Sequence, residues 1–523
     1  MHPAPALSRR RLFQAAATTS VALGVSGVAA PRAEAAPVYS SFSPKLPLVT
    51  TPEWHLARRA AHAPTAAMAA KIKAMGADAW VDWQLKPASV PDSVCDSLVA
   101  KHLPWLKMTT AQLKSATGGE PWKGAPLVVR ATALRHIFSE RVLLESVVEA
   151  MSDQVFVCAK GKAETWTLDW DRTVVRKHAL GKFSSFLTAA LTHPALLVYL
   201  DNDASSKDDP NENLGRELLE LHTVGTGHYT EADVAQSALL LTGHTVDKST
   251  MTYVYRPEQH HVGPLTIMGF SHPNSSAADG PAVLAAYARY LATHPGTATQ
   301  VARRLAVRFV ADNPSAALVA ALAKVYLASG TEIAAVVRAL FRHPEFKASV
   351  GKKWRRPQEW AAAMLKPGKP TWKPKGSVED PWAFLSWHVA LLDAAQHGPR
   401  LWPAVNGFPD QGAHWMSTHG MLTAWNHAEV AAGRQDKQVP LAAWPTTLGV
   451  KAGQNVWTVA AAMTLRLTGY TWRKEDLTVI ASLLSSAGKT VPSAKYKLSA
   501  NNVKNEFKQA VRMVLASPYF MIR

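Results

Sequence analysis

Apolar and polar residues follow the period of an α-helix along most of the chain. Alanine-rich stretches with apolar residues three and four positions apart recur from residues 65–85 to residues 502–516, and this spacing predicts amphipathic helices. Thr230, with Asp233 three residues later, is typical of a capped helix start. Gly243 is a plausible end for that helix. The pattern therefore predicts a mostly α-helical protein.

Strand-like patterning is confined to one short region. Residues 252–255 and 265–268 are rich in β-branched and aromatic side chains, and Gly263 and Pro264 lie between them. This arrangement predicts a small hairpin or extended arm. We therefore expect a mostly α fold, with a large helical domain that carries a small peripheral β-hairpin.

Composition also suggests how the chain is divided. Lysine, proline and glycine dominate residues 366–381, which predicts a linker. We expect a main helical domain over 51–365, with the hairpin inserted near 251–270. A C-terminal helical part over 382–523 is expected to pack on this main domain, and residues 36–50 are expected to form an N-terminal linker.

The first 35 residues resemble an export signal. Arg9 and Arg10 lie in a Ser-Arg-Arg-x-Leu-Phe motif of the twin-arginine type, and a weakly apolar run follows. The small residues on either side of Glu34 match a signal-peptidase site. We predict that residues 1–35 are a twin-arginine signal peptide and that the protein is secreted or associated with the cell envelope. No later stretch has the roughly 18 consecutive apolar residues of a transmembrane helix, so the mature chain is expected to lack one.

The chain is strongly basic. It has 57 Lys and Arg against 39 Asp and Glu, a formal charge of +18, and removal of residues 1–35 leaves +15. This charge favours polyanionic partners, which for an exported protein include anionic cell-wall polymers. The alternative is that the charge only aids solubility. There is no zinc-finger pattern and no dense basic stripe with interleaved aromatic residues, so no nucleic-acid partner is expected.

Composition and known motifs exclude several classes of protein. Hydrophobic residues make up 47% and charged residues 18% of the chain, which excludes a mainly disordered protein. The sequence contains no G-x-S-x-G, P-loop or G-x-G-x-x-G motif, so it gives no support for those hydrolase and nucleotide-binding classes. Cys95 and Cys158 are the only cysteines, and they form either one disulfide or two buried thiols.

The densest group of polar residues lies at 211–223. On a helix with about 100° per residue, its polar side chains share one arc opposite three leucines. That arc consists of Glu212, Asn213, Arg216, Glu217 and Glu220. One hypothesis is a cleft-lining face with Glu217 or Glu220 as base or metal ligand, beside Arg216, with Glu212 and Asn213 binding the ligand. The alternative is a solvated ladder of i, i+4 ion pairs, Glu212–Arg216–Glu220.

His222 is the imidazole closest in sequence to this arc. It falls about 160° from Glu220 on the same helix, and neither Glu217 nor Glu220 has the i, i+3 spacing of a di-iron Glu-x-x-His element. A lone histidine also lacks the two-His pattern of a zinc-protease helix. We keep His222 as a catalytic candidate, and the sequence specifies neither a metal nor a cofactor.

Three residues outside this segment are further candidates. His178 follows the charged residues Asp171 and Arg176 and is a catalytic candidate, although the helix dipole alone explains an acidic first turn there. His261 offers an imidazole from a loop or is simply exposed. Trp415 either binds a ligand such as a sugar ring or fills the core.

Long motifs occur in order along most of the chain. They are found at 55–59, 79–85, 176–181, 193–196, 211–225, 229–234, 407–409 and 516–520. Together they resemble a large bacterial family known only as domain of unknown function 1800, and the segment at 211–225 is the most specific. The resemblance implies an exported, mostly helical protein. Members are often encoded beside exported proteins that resemble sulfatases and alkaline phosphatases, which implies a protein partner of that kind.

One segment departs from the family pattern. Where the family usually reads Trp-x-Asn-His-Phe, this chain reads Met-Ser-Asp-Gln-Val at 151–155, so Gln154 replaces the histidine. If that histidine is a ligand or base in relatives, this protein lacks it. Our first hypothesis is therefore an exported, envelope-associated protein that binds an anionic polymer or a partner protein. The alternative is a metal-assisted or carboxylate-based enzyme, a hydrolase or oxidoreductase, acting outside the cytoplasm.

Overall fold

A computed structural model describes residues 46–369, 383–433 and 443–523 of the chain. The predicted signal peptide at 1–35 lies outside the described residues, as do most of the predicted linkers at 36–50 and 366–381. Backbone contacts join the described residues into one unit within residues 41–523.

The described residues form a mostly helical fold with two very small sheets, so the predicted fold class is confirmed. The helices are α1 (Pro52–Ala60), α2 (Ala66–Met75), α3 (Ala77–Gln84), α4 (Ser93–His102), α5 (Thr110–Ala116), α6 (Ala125–Phe138), α7 (Val142–Gln154), α8 (Thr167–Trp170), α9 (Phe183–Leu191), α10 (Pro194–Tyr199), α11 (Glu212–Glu217), α12 (Glu231–Leu241), α13 (Gly280–Thr293), α14 (Pro295–Phe309), α15 (Ala316–Ala328), α16 (Ile333–Arg342), α17 (Pro344–Lys347), α18 (Pro357–Leu365), α19 (Ala383–Ala394), α20 (Gly412–Trp415), α21 (Thr418–Gly433), α22 (Trp444–Thr447), α23 (Val456–Thr468), α24 (Lys474–Ser486), α25 (Phe507–Leu515) and α26 (Pro518–Met521). Wider π-helical turns occur at Asp171–Arg176, Leu218–His222 and Asn502–Glu506.

Local sequence signals explain many helix starts. The Thr230 side chain accepts the Asp233 backbone N–H, and the Asp233 carboxylate accepts the Thr230 N–H, so the capped start of α12 is confirmed. The residue before a helix-opening proline often supplies the cap. His193 and His343 each precede a proline, and each imidazole Nδ1 accepts a backbone N–H of the following turn. Because proline at the first helical position loses no hydrogen bond, each of these pairs starts a new helix.

Four short strands form two separate hairpins. β1 (His244–Asp247) pairs antiparallel with β2 (Thr252–Tyr255), so that His244 lies opposite Tyr255. β3 (Leu265–Ile267) pairs with β4 (Phe270–His272) through a two-residue turn. The expected hairpin region is therefore present, but its two predicted strands do not pair with each other. Each has a nearer neighbour in sequence, and short connections favour such local pairing.

The core consists mainly of two hydrophobic clusters. The first contains residues of α1–α3 and α7, together with most elements from α8 to α17. The second contains residues of α6 and of the helices from α18 to α26. Because α6 packs on α18 and α19, it connects the N-terminal half to the C-terminal helices. The two neighbouring helices α6 and α7 therefore contribute to different clusters, and polar residues lie between them.

Two smaller findings concern the cysteines and the helix lengths. Cys95 and Cys158 are both buried free thiols, as in the second of the two alternatives. In the part of the chain that the structure describes, no helix is both long and apolar enough to cross a membrane.

Candidate functional site

The polar arc at 211–223 divides into separate local interactions. Arg216 donates to both carboxylate oxygens of Glu231, at 2.9 and 2.7 Å, and to Glu212 at 3.2 Å. Asn213 is exposed, and its side-chain amide lies 3.4 Å from Asp201. These contacts resemble the ion-pair alternative, with Glu231 added as the main partner of the guanidinium.

Glu217 and Glu220 lie at the end of α11 and in the π-helical turn that follows. The Tyr229 hydroxyl donates to Glu220 Oε2 at 2.6 Å, so Glu220 is not the third member of the ion-pair ladder. Glu217 is half-buried, and burial together with the charge of Glu220 raises the pKa of Glu217 to about 7. These two carboxylates therefore form a small, partly buried acidic pair.

His222 faces away from that pair, towards α7. Its ring Nδ1 lies 3.1 Å from the Gln154 carbonyl, and the Gln154 side-chain amide donates to the His222 carbonyl at 3.0 Å. Burial lowers the pKa of His222 to about 4. Gln154 therefore holds His222 in two ways, through its side-chain amide and through its backbone carbonyl.

His178, His261 and Trp415 lie in three different environments. His178 is half-buried, and its pKa is lowered by burial and by Lys177. His261 lies at the edge of a surface cleft and is held through its backbone. Trp415 is only 6% exposed and donates from Nε1 to the Pro409 carbonyl at 2.9 Å, so it is a core residue. Among the described residues, no hydrogen bond or ion pair joins His178 or His222 to Glu217 or Glu220.

A second group of polar residues, which sequence reasoning missed, lies inside the protein. We call it the buried polar centre, and each member is at most 8% exposed. Its members are His62, His136, Glu149, Asp153, Arg308, Arg356, Gln358, Glu359, His397, Asp410 and Arg523. They come from α6, α7, α14 and α18, from the turns before and after helices, and from the last residue of the chain. The Trp415 ring packs 4.4 Å from that of His397, so one predicted binding residue borders this centre.

Helix α7 supplies the acidic side of the centre. Glu145, Glu149 and Asp153 are spaced four residues apart, which places them on one face of the helix. All three are buried. Because buried charges are stable only when paired, Glu145 and Glu149 require cations from other elements, and they pair with Arg176 and with Arg308 and Arg356. Three carboxylates at this spacing in an otherwise apolar helix are the sequence signal that could have revealed the site.

Glu149 is the hub of the centre. Its Oε2 lies 2.7 Å from His62 Nε2, 2.6 Å from an Arg308 nitrogen and 2.8 Å from an Arg356 nitrogen. Although burial opposes ionisation, Arg356 and His62 hold the pKa of Glu149 well below its usual range. Its other oxygen, Oε1, makes no hydrogen bond and lies 3.7 Å from His397 Nε2.

Glu359 forms a second hub on α18. It accepts from Arg308 Nη1 at 2.6 Å and also contacts Arg523. Arg523 in turn donates to the backbone carbonyls of Arg59 and Arg308, at 3.0 and 3.1 Å. Asp410 completes this side, 3.1 Å from Arg356. Three arginines and three carboxylates thus bridge residues that are distant in sequence.

A narrow cavity of about 10 Å³ opens beside Glu149. Four buried side chains that line it each have an unpartnered atom. These atoms are His136 Nδ1, Glu149 Oε1, Asp153 Oδ2 and Gln358 Oε1. Burial and the charge of Glu149 raise the pKa of Asp153 to about 7. A volume of this size holds about one water molecule or one ion.

The ring positions decide which residues can hold a metal ion. His62, His136 and Glu149 offer donor atoms within 4.8 Å of one another. However, the His62 and His136 rings stack, with centroids 3.6 Å apart and planes 11° apart. An imidazole binds a metal through a lone pair that lies in the ring plane, so two parallel stacked rings do not both reach one ion. His62 Nε2 is also already bound to Glu149, which leaves His136 as the available imidazole.

His397 is excluded as a ligand by its own hydrogen bond. Its Nδ1 lies 3.3 Å from the backbone N–H of Gln358 and accepts it. The hydrogen of the neutral ring is then on Nε2, which directs a donor towards Glu149 Oε1. The candidate ligand atoms that line the cavity are therefore His136 Nδ1 and three oxygens, from Glu149, Asp153 and Gln358. Of these residues, only His136 and Glu149 belong to the cluster of donor atoms within 4.8 Å of one another. Imidazole combined with carboxylate oxygens suits a divalent transition metal such as Zn²⁺ or Mn²⁺.

Ion pairs extend the centre towards the surface. Arg176 pairs with Glu145, and Arg400 Nη2 lies 2.7 Å from Asp171 Oδ1. Asp171 and Arg176 are the first and last residues of one π-helical turn, and such turns occur frequently at functional sites. Asp171 and Arg176, the charged residues that precede His178 in the sequence, are therefore paired with two residues that line the narrow cavity, Arg400 and Glu145.

Comparisons with known proteins agree with the motifs. The model of the family described as "Protein of unknown function (DUF1800)" matches residues 55–522, and this confirms the resemblance inferred from the sequence. No curated protein and no solved structure matches the chain.

Proposed function

Because the chain belongs to the DUF1800 family, whose description states no function, we propose a function from the buried polar centre. The protein is an exported, metal-assisted enzyme that holds one divalent metal ion at His136, Glu149, Asp153 and Gln358. The observation that supports this proposal is the set of four unpartnered donor atoms around one cavity. A divalent ion there would supply Lewis acidity and a more acidic bound water.

The energetic argument starts from the cost of unpaired groups. Each buried polar atom without a partner costs about 1–3 kcal/mol, so four of them would remove a large part of an ordinary domain's stability of about 5–15 kcal/mol. A cation or a water molecule bound between these four atoms would reduce that cost. An occupant of the cavity is therefore the physical explanation for the arrangement.

The charges favour a cation as that occupant. Arg308, Arg356 and Arg523 are matched by the three carboxylates of Glu149, Glu359 and Asp410. Asp153 is in no ion pair of 4 Å or less within the described residues, and its Oδ1 accepts only the Phe408 backbone N–H, at 3.2 Å. The charges of Arg356 and Arg304 act on it from a greater distance. The competing occupant is one water molecule. That arrangement requires a protonated Asp153 and a His136 that carries its hydrogen on Nδ1.

Metal content and metal affinity test the proposal. We expect about one divalent ion per chain in protein purified after export, and binding of Zn²⁺ or Mn²⁺ when chelator-treated protein is titrated in a calorimeter. Asp153→Asn should weaken that binding at least about tenfold, because it removes an anionic ligand. Glu217→Gln makes the same carboxylate-to-amide change in the acidic pair and should leave binding unchanged.

Three results would contradict the metal centre. They are a metal-free exported protein that binds neither ion, equal affinity in wild type and D153N, and a loss of affinity in E217Q but not in D153N. The last result would move the site to the segment at 211–223. Far-UV circular dichroism of each variant separates lost binding from lost folding.

The export part of the proposal rests on the N-terminal pattern. Replacing both Arg9 and Arg10 by lysine should keep the protein inside the cytoplasm, because the twin-arginine route reads that pair. Cell fractionation followed by immunoblotting measures the change. Export at the wild-type level in this double variant would contradict the twin-arginine route.

A second candidate function follows from the charge of +15 that the chain carries without residues 1–35. In this proposal the protein binds an anionic cell-wall polymer, or an exported partner protein of the sulfatase or phosphatase kind. Retention on purified wall polymer should fall steeply as salt rises, because exposed charges are screened. Retention that does not change with salt concentration, or the absence of retention, would contradict polymer binding. Co-purification of exported complexes tests the partner protein.

A further inference from the structure

A wider cleft is lined by residues of α4, α6 and α7. Its volume is about 450 Å³, which is within the range of small-molecule sites. Four basic side chains line it, from Lys107, Arg135, Arg141 and Arg176, together with the three carboxylates of Asp92, Asp96 and Glu145. Glu145 lines both this cleft and the narrow cavity of the buried polar centre. The cleft is therefore the open space next to the proposed metal site.

Two of the four cations are already paired. Arg141 donates to both carboxylate oxygens of Asp96, each at 2.9 Å. Arg176 pairs in the same two-point manner with Glu145. Both arginines therefore line the cleft as members of ion pairs, and their charges are already neutralised by carboxylates of the protein.

Arg135 is different from these two. Within the described residues its side chain makes no hydrogen bond and no ion pair of 4 Å or less, although its Nη1 is buried. The nearby carboxylates of Glu145 and Asp171 are taken by Arg176 and Arg400. Lys107, exposed at the rim of the same cleft, is also in no ion pair with a described residue.

An unpaired guanidinium in a cleft is suited to one class of ligand. Its planar fork matches the two oxygens of a carboxylate or phosphate, and charge-assisted bonds of this kind are about twice as strong as neutral ones. We propose that the cleft binds the oxyanion group of a ligand, with Arg135 as the anchor and Lys107 as the second cation. The shared chemistry is a phosphate or carboxylate group.

The two sites together suggest a substrate class. Glu145 lines both the cleft that contains Arg135 and the cavity that Glu149 and Asp153 line, so an oxyanion held at Arg135 would lie near the proposed metal site. If the metal centre is present, the natural substrate is an anionic compound. That assignment rests on the proposed function, but anion binding at Arg135 does not.

Titration of the full mature chain with inorganic phosphate and, separately, acetate tests the proposal and distinguishes the two oxyanions. We expect one anion per chain, and Arg135→Gln should weaken binding at least about tenfold. Arg303→Gln removes the same charge at an exposed helix position, away from the cleft, and should leave the affinity unchanged. Chelator-treated protein should bind the anion as well, which separates this site from the metal centre.

The following results would overturn the inference. They are no binding of either anion, equal binding by R135Q and wild type, and equal weakening by R135Q and R303Q, which would indicate only the overall charge. If R135Q does not fold, Lys107→Gln provides the second test, because an exposed side chain can be changed without loss of the fold. An unchanged affinity in K107Q would then count against the cleft.

Discussion

The polar arc at 211–223 and the buried polar centre contain the same kinds of residue but differ in what surrounds them. On the arc, Arg216 meets Glu231 at the surface, where water and salt compete for both charges. In the centre, Arg308 and Glu149 pair at 2.6 Å with side chains that are 1% and 8% exposed. Because of this difference in burial, we expect the ion pairs of the buried polar centre to contribute more to the stability of the fold than those of the arc.

The comparison also separates continuous from discontinuous sites. The arc belongs to one stretch of chain, and its neighbours are local. The centre gathers residues from His62 to Arg523. A dense polar segment is easy to see in a sequence, but its exposure to solvent is enough to explain its polar composition. Isolated polar residues in apolar stretches are harder to recognise in a sequence. Once they are buried, they require one another as hydrogen-bond and ion-pair partners.

Glu149→Gln should cause the largest loss of stability. It leaves the buried cations Arg308 and Arg356 without the charge of their shared partner, and breaking one side of a buried pair costs about 3–5 kcal/mol. The matched variant Glu429→Gln breaks the exposed pair with Arg512 and should cost less than about 1 kcal/mol. Urea unfolding followed by circular dichroism measures both. Equal losses in the two variants would remove the distinction between buried and exposed charge.

Arg523→Gln should have the next largest effect. Its guanidinium pairs with Glu359 and donates to two buried carbonyls, so the unfolding free energy should fall by about 2–4 kcal/mol. Arg512→Gln, on the surface of α25, is the control and should change it by less than about 1 kcal/mol. A variant R523Q as stable as R512Q would show that the last side chain does not hold the centre together.

Glu217→Gln should have a moderate effect that depends on pH. The folded-state pKa is raised to about 7 from 4.5, so ionisation costs the folded state more than the unfolded state. This cost is absent below the unfolded pKa, grows as pH rises, and is complete above the folded pKa. Because Glu217 is only partly buried, E217Q should stabilise the protein by roughly 1 kcal/mol at about pH 8 and by nearly nothing at about pH 4. Thermal unfolding at the two pH values measures this, and a gain at the lower pH alone would reverse the sign.

Arg216→Gln should have the smallest effect. The pairs that Arg216 makes with Glu212 and Glu231 are solvent-exposed, so their loss should cost only about 0.3–0.5 kcal/mol at low salt. At about 1 M salt the difference should vanish, since the Debye length is then only about 3 Å. Denaturant titration at both salt concentrations measures the change. A loss of unfolding free energy comparable to that of E149Q would contradict this expectation and show that the arc stabilises the fold as much as the buried polar centre does.

Sequence reasoning predicted local features well and distant pairings poorly. The capped start at Thr230 depends only on neighbours within one turn. The sequence predicts strands at 252–255 and 265–268, but it does not predict that each pairs with a different short strand. The partner of β2 is β1, whose four residues, His244–Asp247, are too few to show a clear strand pattern. The segment at 151–155 contributes Asp153 to the cavity.

The sequence by itself determined the helical class and the family, because periodicity and motifs are read along the chain, and the export signal stays a prediction. Only the tertiary structure decided which polar residues converge. Arg308 and Glu149 are 159 positions apart, and Arg523 and Glu359 are 164 apart. No local pattern specifies such a pair. The free energy of leaving a charge unpaired in the core acts only once the core exists, so the site is a property of the packed fold.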